Sequence, residues 1–550
     1  MNIIGFSPFG YEGSLVTVEV DLRRGIPATD MVGLADNAVR EARERMRAAI
    51  RNSGFEYPPE RILISLSPAD VKKEGAGFDL AIALAVLDKG KSTGTSVKKT
   101  ADVLVMGELE LSGRIRPVRG IHAALSTARE RGIRYCIIPA ENKAEAAFFS
   151  SAGRTKRTGK SGAPMKVFAA SHLTGAFALL SELEQQPLQN ISASVSCGGL
   201  KTEPGCAQTP RIQDENIVFS DFPAALDYRE IKGQAFFIRA LQTAAAGRHN
   251  LIAYGAPGCG KTLALSRFYT LLPRLSEEEA LPVTRIYSIA GMLPAGTKIL
   301  TEAPFRRPHQ SASLEGIIGG GVHCRPGEIS LAHNGVLFLD EAADFRASVL
   351  QALRVPLEEG KITLSRAGRT TEYPARFQLL LAANPCPCGN FGSPDKICLC
   401  NPRAVEQYWR RFSAPLLDRI DIRVALSSGA AQTQAAPHSP ENGRAAAQHS
   451  TEQLRRAIAA ATNRQRHRQG KPNSRLDACE IRRFCPLDAQ TEDFLTDQSR
   501  RFGFSERGIH SCIKLARTIA DMAERDRIEK GDAEEAVLLH RNAGGIHLMF

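Results

Sequence analysis

Eight consecutive residues, Gly255-Ala256-Pro257-Gly258-Cys259-Gly260-Lys261-Thr262, bring together the types that hold a polyphosphate. Glycines lack the Cβ that would stop successive N–H groups from turning inward on phosphate oxygens. Lys261 can then reach the outer phosphates and Thr262 can ligate Mg²⁺, which makes ATP with Mg²⁺ the expected pair. Further on, the apolar run Gly335-Val336-Leu337-Phe338-Leu339 ends in Asp340 and Glu341. The first acid can orient the metal's shell, and the second can polarise water for attack on a γ-phosphate. Another apolar run, Leu379-Leu380-Leu381-Ala382-Ala383, ends in Asn384, a polar residue able to hold the same water. Taken alone, the glycine loop also reads as a tight βα turn in an ordinary sheet, and two acids after an apolar run are common. Together, in this order, they specify nucleotide hydrolysis.

These residues need elements to carry them. The run Asn250 to Tyr254 reads as a buried strand, and Leu263 to Phe268 opens a helix, so the loop joins strand to helix. Before it, residues 16–22 alternate as a half-buried strand. From Asp36, an expected N-cap, Val39, Ala42, Met46, Ala49 and Ile50 keep helical spacing. Arg40, Arg43, Arg47 and Arg51 make a second stripe on that helix, either a solvated or salt-bridged face or a nucleic-acid contact. Strands and helices then interleave, giving a mixed α/β domain over 1–184. A Ser-, Gly-, Gln- and Pro-rich linker over 185–212, containing Cys197 and Cys206, separates it from an α/β motor domain at 213–425. A polar connector at 426–449 precedes a helical C-terminal domain at 450–550, with helices expected over Thr451–Arg468, Asp477–Arg483, Ala489–Phe502 and Ser505–Arg525.

Composition sets the outer limits. At 550 residues the chain exceeds one hydrophobic core, in keeping with three domains. No apolar run is long enough to span a membrane, and Met1-Asn2-Ile3-Ile4-Gly5 lacks the regions of a signal peptide, so a cytoplasmic location is expected. A net charge of +12 favours a polyanion partner, or serves solubility alone. Twelve cysteines are too few for a disulfide scaffold in so long a chain. Four of them follow the pattern Cys386-Pro387-Cys388, nine residues, Cys398-Leu399-Cys400, which can enclose a structural Zn²⁺ or stand as reduced thiols. Between the two acids and Asn384, Gly360 to Tyr373 reads as a hairpin around Ala367-Gly368 with basic residues near its tip. Its Lys361, Arg366 and Arg369 are candidates for gripping a phosphate backbone, the alternative being a solvated turn.

Two resemblances add to this reading. The run Gly107 to Val118, continuing to Ile137-Ile138-Pro139, resembles the S5-like proteolytic domain of Lon proteases, a family with a serine–lysine dyad. Laid on that motif, Lys73-Glu74-Gly75-Ala76-Gly77 has glycine at the serine position and Ala124 at the lysine position. No acyl chemistry follows without a nucleophile and its base. The segment Arg411 to Asp421, taken with the motifs above, resembles AAA+ ATPases of the magnesium-chelatase branch, and the whole chain resembles the YifB/ComM family. That resemblance implies that Asn384 is the sensor-1 residue and that Arg419 is a finger reaching a neighbour's nucleotide, the alternative being a salt bridge with Asp418 or Asp421. It implies too that Arg507, in Ser505-Glu506-Arg507, contacts the γ-phosphate from the helical lid. It further implies a hairpin projecting into a central pore, and a hexameric helicase that drives branch migration of DNA, branched or single-stranded, during natural transformation. A chelatase-type or protein-remodelling ATPase is the rival. The family shows further histidines where this chain has Gln310 and near Asn334, so no role falls to His309.

Overall fold

The computed structural model describes residues 1–34, 37–69, 73, 75–91, 102–151, 165–185, 217–294, 296–366, 369–391, 396–426 and 450–541. The expected cap at Asp36, the hairpin tip Ala367-Gly368, the linker beyond Gln185 with Cys197 and Cys206, and the connector beyond Leu426 lie outside the described residues.

The first sheet has seven strands in the order Thr29–Val32, Arg61–Ser67, Ser14–Arg23, Asn2–Ser7, Asp102–Val105, Tyr135–Pro139, Lys166–Ala170. Asn2–Ser7 and Ser14–Arg23 are joined by a short turn and pair antiparallel, whereas the strands from Asn2–Ser7 outward to Lys166–Ala170 pair parallel across helical connections. The helix Asn37–Asn52 buries the stripe expected of it, with Val39, Ala42, Met46, Ala49 and Ile50 fully enclosed. On its other face Arg43 bonds Glu44 and the Thr29 carbonyl, and Arg47 lies over the Tyr57 ring. Arg45, outside that stripe, forks onto the fully buried Asp79 at 2.8 and 3.1 Å. The first and last strands and the helix Leu173–Gln185 were not legible from periodicity.

The second sheet is wholly parallel, in the order Phe305–Arg306, Val336–Leu339, Gln378–Ala383, Leu251–Gly255, Ile422–Leu426. Its three inner strands, Val336–Leu339, Gln378–Ala383 and Leu251–Gly255, are near-continuous apolar runs because both faces are covered. Leu251, Ala253, Val336, Phe338, Leu380 and Ala382 face one core, whereas Ile252, Tyr254, Leu337, Leu339, Leu379 and Leu381 face another containing Trp409 and Phe412. With this alternation, strand register fixes which polar residue emerges at each carboxyl end. Ala382 and Ala383 sit opposite Ala253 and Tyr254, so Asn384 follows directly beside the glycine loop.

Five lid helices, Thr451–Gln469, Ala478–Phe484, Ala489–Phe502, Glu506–Met522 and Lys530–His540, follow. Leu454, Ile458, Leu515, Ala516, Ile519 and Val537 join the first of those sheet cores, so lid and sheet share one hydrophobic interior. A buried polar knot ties the lid together: both Asp521 oxygens accept from Arg468 at 2.7 Å, and Asn473 and Arg517 complete the shell. Such a charge is tolerable inside only because each lone pair has a donor. The last helix, Lys530–His540, was not anticipated from sequence. Among the described residues no helix is long and apolar enough to cross a membrane.

The N-terminal domain is clamped to the motor through the helix Glu277–Ala290. Arg285 donates to the carbonyls of Tyr11 and Glu12 at 2.9 and 3.1 Å and lies over the Tyr11 ring. Ser288 bonds Glu145, which also accepts from the His122 amide.

Candidate active site

The glycine loop connects Leu251–Gly255 to the helix Lys261–Ser266, as its composition predicts. A Cβ on Gly255 would meet the Leu426 carbonyl oxygen at 2.2 Å, and Gly258 and Gly260 have φ of 83° and 84°, which only glycine adopts freely. From the first turn of the helix, Lys261 folds back over the loop. Its Nζ donates to the Gly255 and Ala256 carbonyls at 2.6 and 3.0 Å and to Asn384 Oδ1 at 3.3 Å. Lys261 is thus held by neutral acceptors at the mouth of the loop, where a phosphate would supply a charged one.

Thr262 Oγ1 donates to Asp340 Oδ1 at 3.0 Å. A hydroxyl and a carboxylate oxygen at this spacing are hard donors of the kind Mg²⁺ takes beside substrate phosphates, so the pair fits the ion that the loop implies. Asp340 Oδ1 also accepts from the Glu341 amide at 3.1 Å. Glu341 has a left-handed backbone, φ 49° and ψ 48°, which costs a non-glycine residue roughly 1–2 kcal/mol. Glu341 is exposed there.

One participant escaped the sequence reading. Arg307 Nη2 donates to Asp340 Oδ2 at 2.6 Å, and its guanidinium rests over the Phe338 ring at 5.4 Å. It follows Phe305–Arg306, a strand of two residues, too short to show a period, that pairs with Phe305↔Val336 register. Arg306 fixes that strand by forking onto Glu328 at 2.7 Å through both nitrogens. In the sequence Arg307 directly follows the apolar-plus-basic pair Phe305-Arg306, a local signal too short to give it a role.

The other two arginines meet each other rather than the phosphate loop. Arg419 and Arg507 both donate to Glu358, Arg507 at 3.0 Å, and Arg419 also bonds the Pro415 carbonyl. Hydrogen bonds from Arg419 and then Arg507 hold the Glu358 carboxyl below its usual range. Arg419 therefore pairs with Glu358, not with Asp418 or Asp421. Arg507 reaches Asp418 as well, at 3.8 Å. Lys261, Thr262, Asp340 and Asn384 thus converge, while the two expected charge-stabilising arginines sit together at a second place on the same chain.

Beyond Asn384 the chain enters the four thiols. Cys386 Sγ lies 3.3 Å from Cys388 and 3.7 Å from Cys398, Cys388 lies 3.6 Å from Cys398, and all four Sγ atoms are within 4.8 Å of one another. A tetrahedral zinc with Zn–S near ~2.3 Å spaces its sulfurs about 3.8 Å apart, so the donor set suits Zn²⁺. The Asn390 amide, then the Cys386 thiol, pull the Cys388 thiol down to about 6, whereas crowding by the neighbouring thiols and burial push Cys398 and Cys400 up, so in the metal-free cluster the thiolate sits on Cys388.

The expected hairpin forms from Lys361–Arg366 and Arg369–Pro374, with Arg366 opposite Arg369. Lys361 lies at its base, opposite Pro374, and pairs with Glu372 at 2.8 Å. Arg366 lies 3.8 Å from Glu315, and Arg369 stacks on the Phe9 ring at 3.5 Å. The N-terminal domain grips this hairpin further: the Tyr11 amide donates to Thr371 Oγ1 at 3.0 Å. His309 bonds only the nearby Ser311 among the described contacts. In the N-terminal domain, Gly77 lies in a 3₁₀ turn and Ala124 is buried on the helix Ile121–Glu130.

A parallel sheet of this order, with a phosphate loop, two acids and a sensor residue at its carboxyl edge and a helical lid, defines an AAA+-type ATPase. The family model for magnesium chelatase, subunit ChlI, matches residues 227–434, that for subunit ChlI of Mg-chelatase matches 18–142, and that for the ChlI C-terminal part matches 448–540. YifB of Salmonella typhimurium is 37% identical over 96% of this chain and 94% of its own length. Competence protein ComM of Haemophilus influenzae is 35% identical over 96% of this chain and 95% of its own. Lon protease 1 of Thermus thermophilus is 30% identical over 26% of this chain and 18% of its own, in line with the Lon-like N-terminal domain. The chain belongs to the YifB/ComM family of magnesium-chelatase-like proteins.

Proposed function

We propose that this protein is a ring-forming, ATP-driven motor that moves along DNA in the cytoplasm, and that its task is branch migration of recombining strands. The observation that carries the ring is the pairing of Arg419 and Arg507 with Glu358, and, among the described contacts, with no group of their own phosphate loop. Within one chain the cations at this site are Lys261 and Arg307, the latter held on Asp340, and a finger aimed at the charge of the transferring phosphoryl group is missing from it. Arg419 of a neighbouring protomer supplies it, with Arg507 carried on the same face. Lys261 holds the β- and γ-phosphates, Thr262 and Asp340 hold Mg²⁺, Glu341 takes a proton from the attacking water, and Asn384 orients that water. Bound Mg²⁺ neutralises phosphate charge and fixes the leaving group. The four thiols hold a structural zinc.

The +12 charge and the basic hairpin support DNA as the track. The competence label of the Haemophilus relative supports recombination of incoming DNA. The ring of this reading has six protomers. Phosphate contacts release counterions, so turnover should rise with branched or single-stranded DNA and lose that rise as salt increases. ATP hydrolysis by the purified chain with and without a four-way junction tests this, with Glu341→Gln as the hydrolysis-dead control. Turnover indifferent to every DNA form would overturn the DNA reading and leave a motor that remodels a partner protein.

A further inference from the structure

The thiol cluster and the phosphate loop touch. Gly389, between Cys388 and the rest of the cysteine segment, has φ 79°, and a Cβ built there would stand 2.6 Å from Pro257 Cδ and 2.7 Å from Cγ. The bare Cα of Gly389 therefore packs flat on the proline ring in the middle of the phosphate loop. From the other direction, Cys386 is two residues beyond Asn384, whose side chain accepts from Lys261. The intervening Pro385 carbonyl accepts from Trp409 Nε1 at 2.9 Å, and the Asn384 amide donates to the Tyr408 hydroxyl at 3.2 Å. The Phe391 amide donates to Cys386 Sγ at 3.3 Å, tying the turn to its first ligand.

Both ends of the segment are held, Asn384 and Pro385 by Tyr408 and Trp409, and Cys400 by Asn401, which caps the same helix, Pro402–Trp409. Between those ends, among the described residues, the four Sγ atoms gather within 4.8 Å of one another, and Phe391, Cys398 and Cys400 lie against the core that holds Trp409. Four thiolates on one ion would convert this loop into a rigid knuckle, as ligation does wherever a metal closes an otherwise open turn.

We propose that the metal-loaded knuckle braces the phosphate loop, so that nucleotide affinity in this motor depends on zinc. The proposal rests on the zinc reading above. Loaded, the knuckle presses Gly389 on Pro257 and presents Asn384 to Lys261, holding the loop open for phosphate. Stripped, the segment releases Pro257, and the loop must be ordered by the nucleotide at the moment of binding, which lowers affinity.

The test uses the full chain. Zinc per chain is measured by elemental analysis, and the dissociation constant of a fluorescent, non-hydrolysable ATP analogue is measured on protein as purified, after chelation, and after zinc is restored. Hydrogen exchange of residues 255–262 is followed in parallel. One zinc per chain, a rise in the dissociation constant of about tenfold or more on stripping with faster exchange at 255–262, and reversal by zinc support the brace. One zinc per chain with affinity and exchange unchanged overturns the brace while leaving the zinc site standing. No zinc retained or rebound removes the zinc reading, and the brace with it. Should stripping unfold the chain, Pro257→Ala decides, because it deletes the ring under Gly389 and spares every thiol. A severalfold weaker analogue affinity at full zinc content is expected, and an unchanged affinity overturns the brace.

Discussion

Removing Arg307 should make the site take Mg²⁺ more readily. In the nucleotide-free geometry its guanidinium sits 2.6 Å from the Asp340 oxygen not bonded to Thr262, so a cation already occupies the carboxylate that the metal needs. The Arg307 and Asp340 side chains are 47% and 17% exposed. At an effective dielectric near 20 two unit charges at 4 Å attract by about 4 kcal/mol, but solvent screening of a half-exposed arginine leaves about 1 kcal/mol. Mg²⁺ must displace that contact. Arg307→Ala should therefore lower the half-saturating Mg²⁺ concentration by about fivefold, since 1.4 kcal/mol is a factor of ten. The assay is Mg²⁺ titration of a fluorescent ATP analogue at saturating analogue, in the Glu341→Gln background so that turnover does not intrude. Arg307→Lys keeps a charge at the position and should fall between. A half-saturation point that stays put, or rises, in Arg307→Ala would refute the competition.

Acid should loosen the fold before it touches the carboxylates. Burial, helped by Arg285 and Arg129, lowers His122 to about 3; burial with Arg475 and Arg376 lowers His333 to about 3; burial with Arg423 lowers His540 to about 4. Each is neutral in the folded chain and protonates near 6.5 once unfolded, so their stability is complete above pH 6.5 and drains away as pH falls toward those lower values. At pH 5 each of the first two should cost about 2 kcal/mol, and thermal unfolding midpoints that do not fall between pH 7 and pH 5 would contradict this. On the hairpin, Lys361→Ala and Arg366→Ala should each reduce the slope of log affinity against log salt for duplex DNA by about 0.9, whereas an exposed side chain off the track would change neither slope nor affinity.

The sequence reading was most successful where chemistry and periodicity coincide. The loop, Asp340 and Asn384 were legible because each ends an apolar run, and a parallel sheet must place successive run ends along one edge. The hairpin was legible from two β-rich segments around Ala-Gly; of the basic residues expected near its tip, Arg366 and Arg369 flank the turn, whereas Lys361, six residues before it, stands at the base beside Pro374. Arg307 was hidden because its strand is two residues long. Glu358, which gathers Arg419 and Arg507, was invisible because long-range pairing between 358, 419 and 507 leaves no local trace. The contacts of Phe9, Tyr11 and Arg285 across the domains were hidden for the same reason. Strand Asn2–Ser7 escaped because, in the middle of its sheet and buried along most of its length, it shows no alternation.

Whether one chain completes another's site can be asked with two defective proteins. Lys261→Ala keeps Arg419 and loses the phosphate loop, and Arg419→Ala keeps the loop and loses the finger, so each alone should turn over ATP at least a hundredfold more slowly than the parent. Mixed in equal amounts and allowed to form rings at random, about one interface in four joins a sound loop to a sound finger, and about a quarter of parental turnover should return. A mixture as inactive as its components would place Arg419 with its own nucleotide and contradict a site shared between protomers.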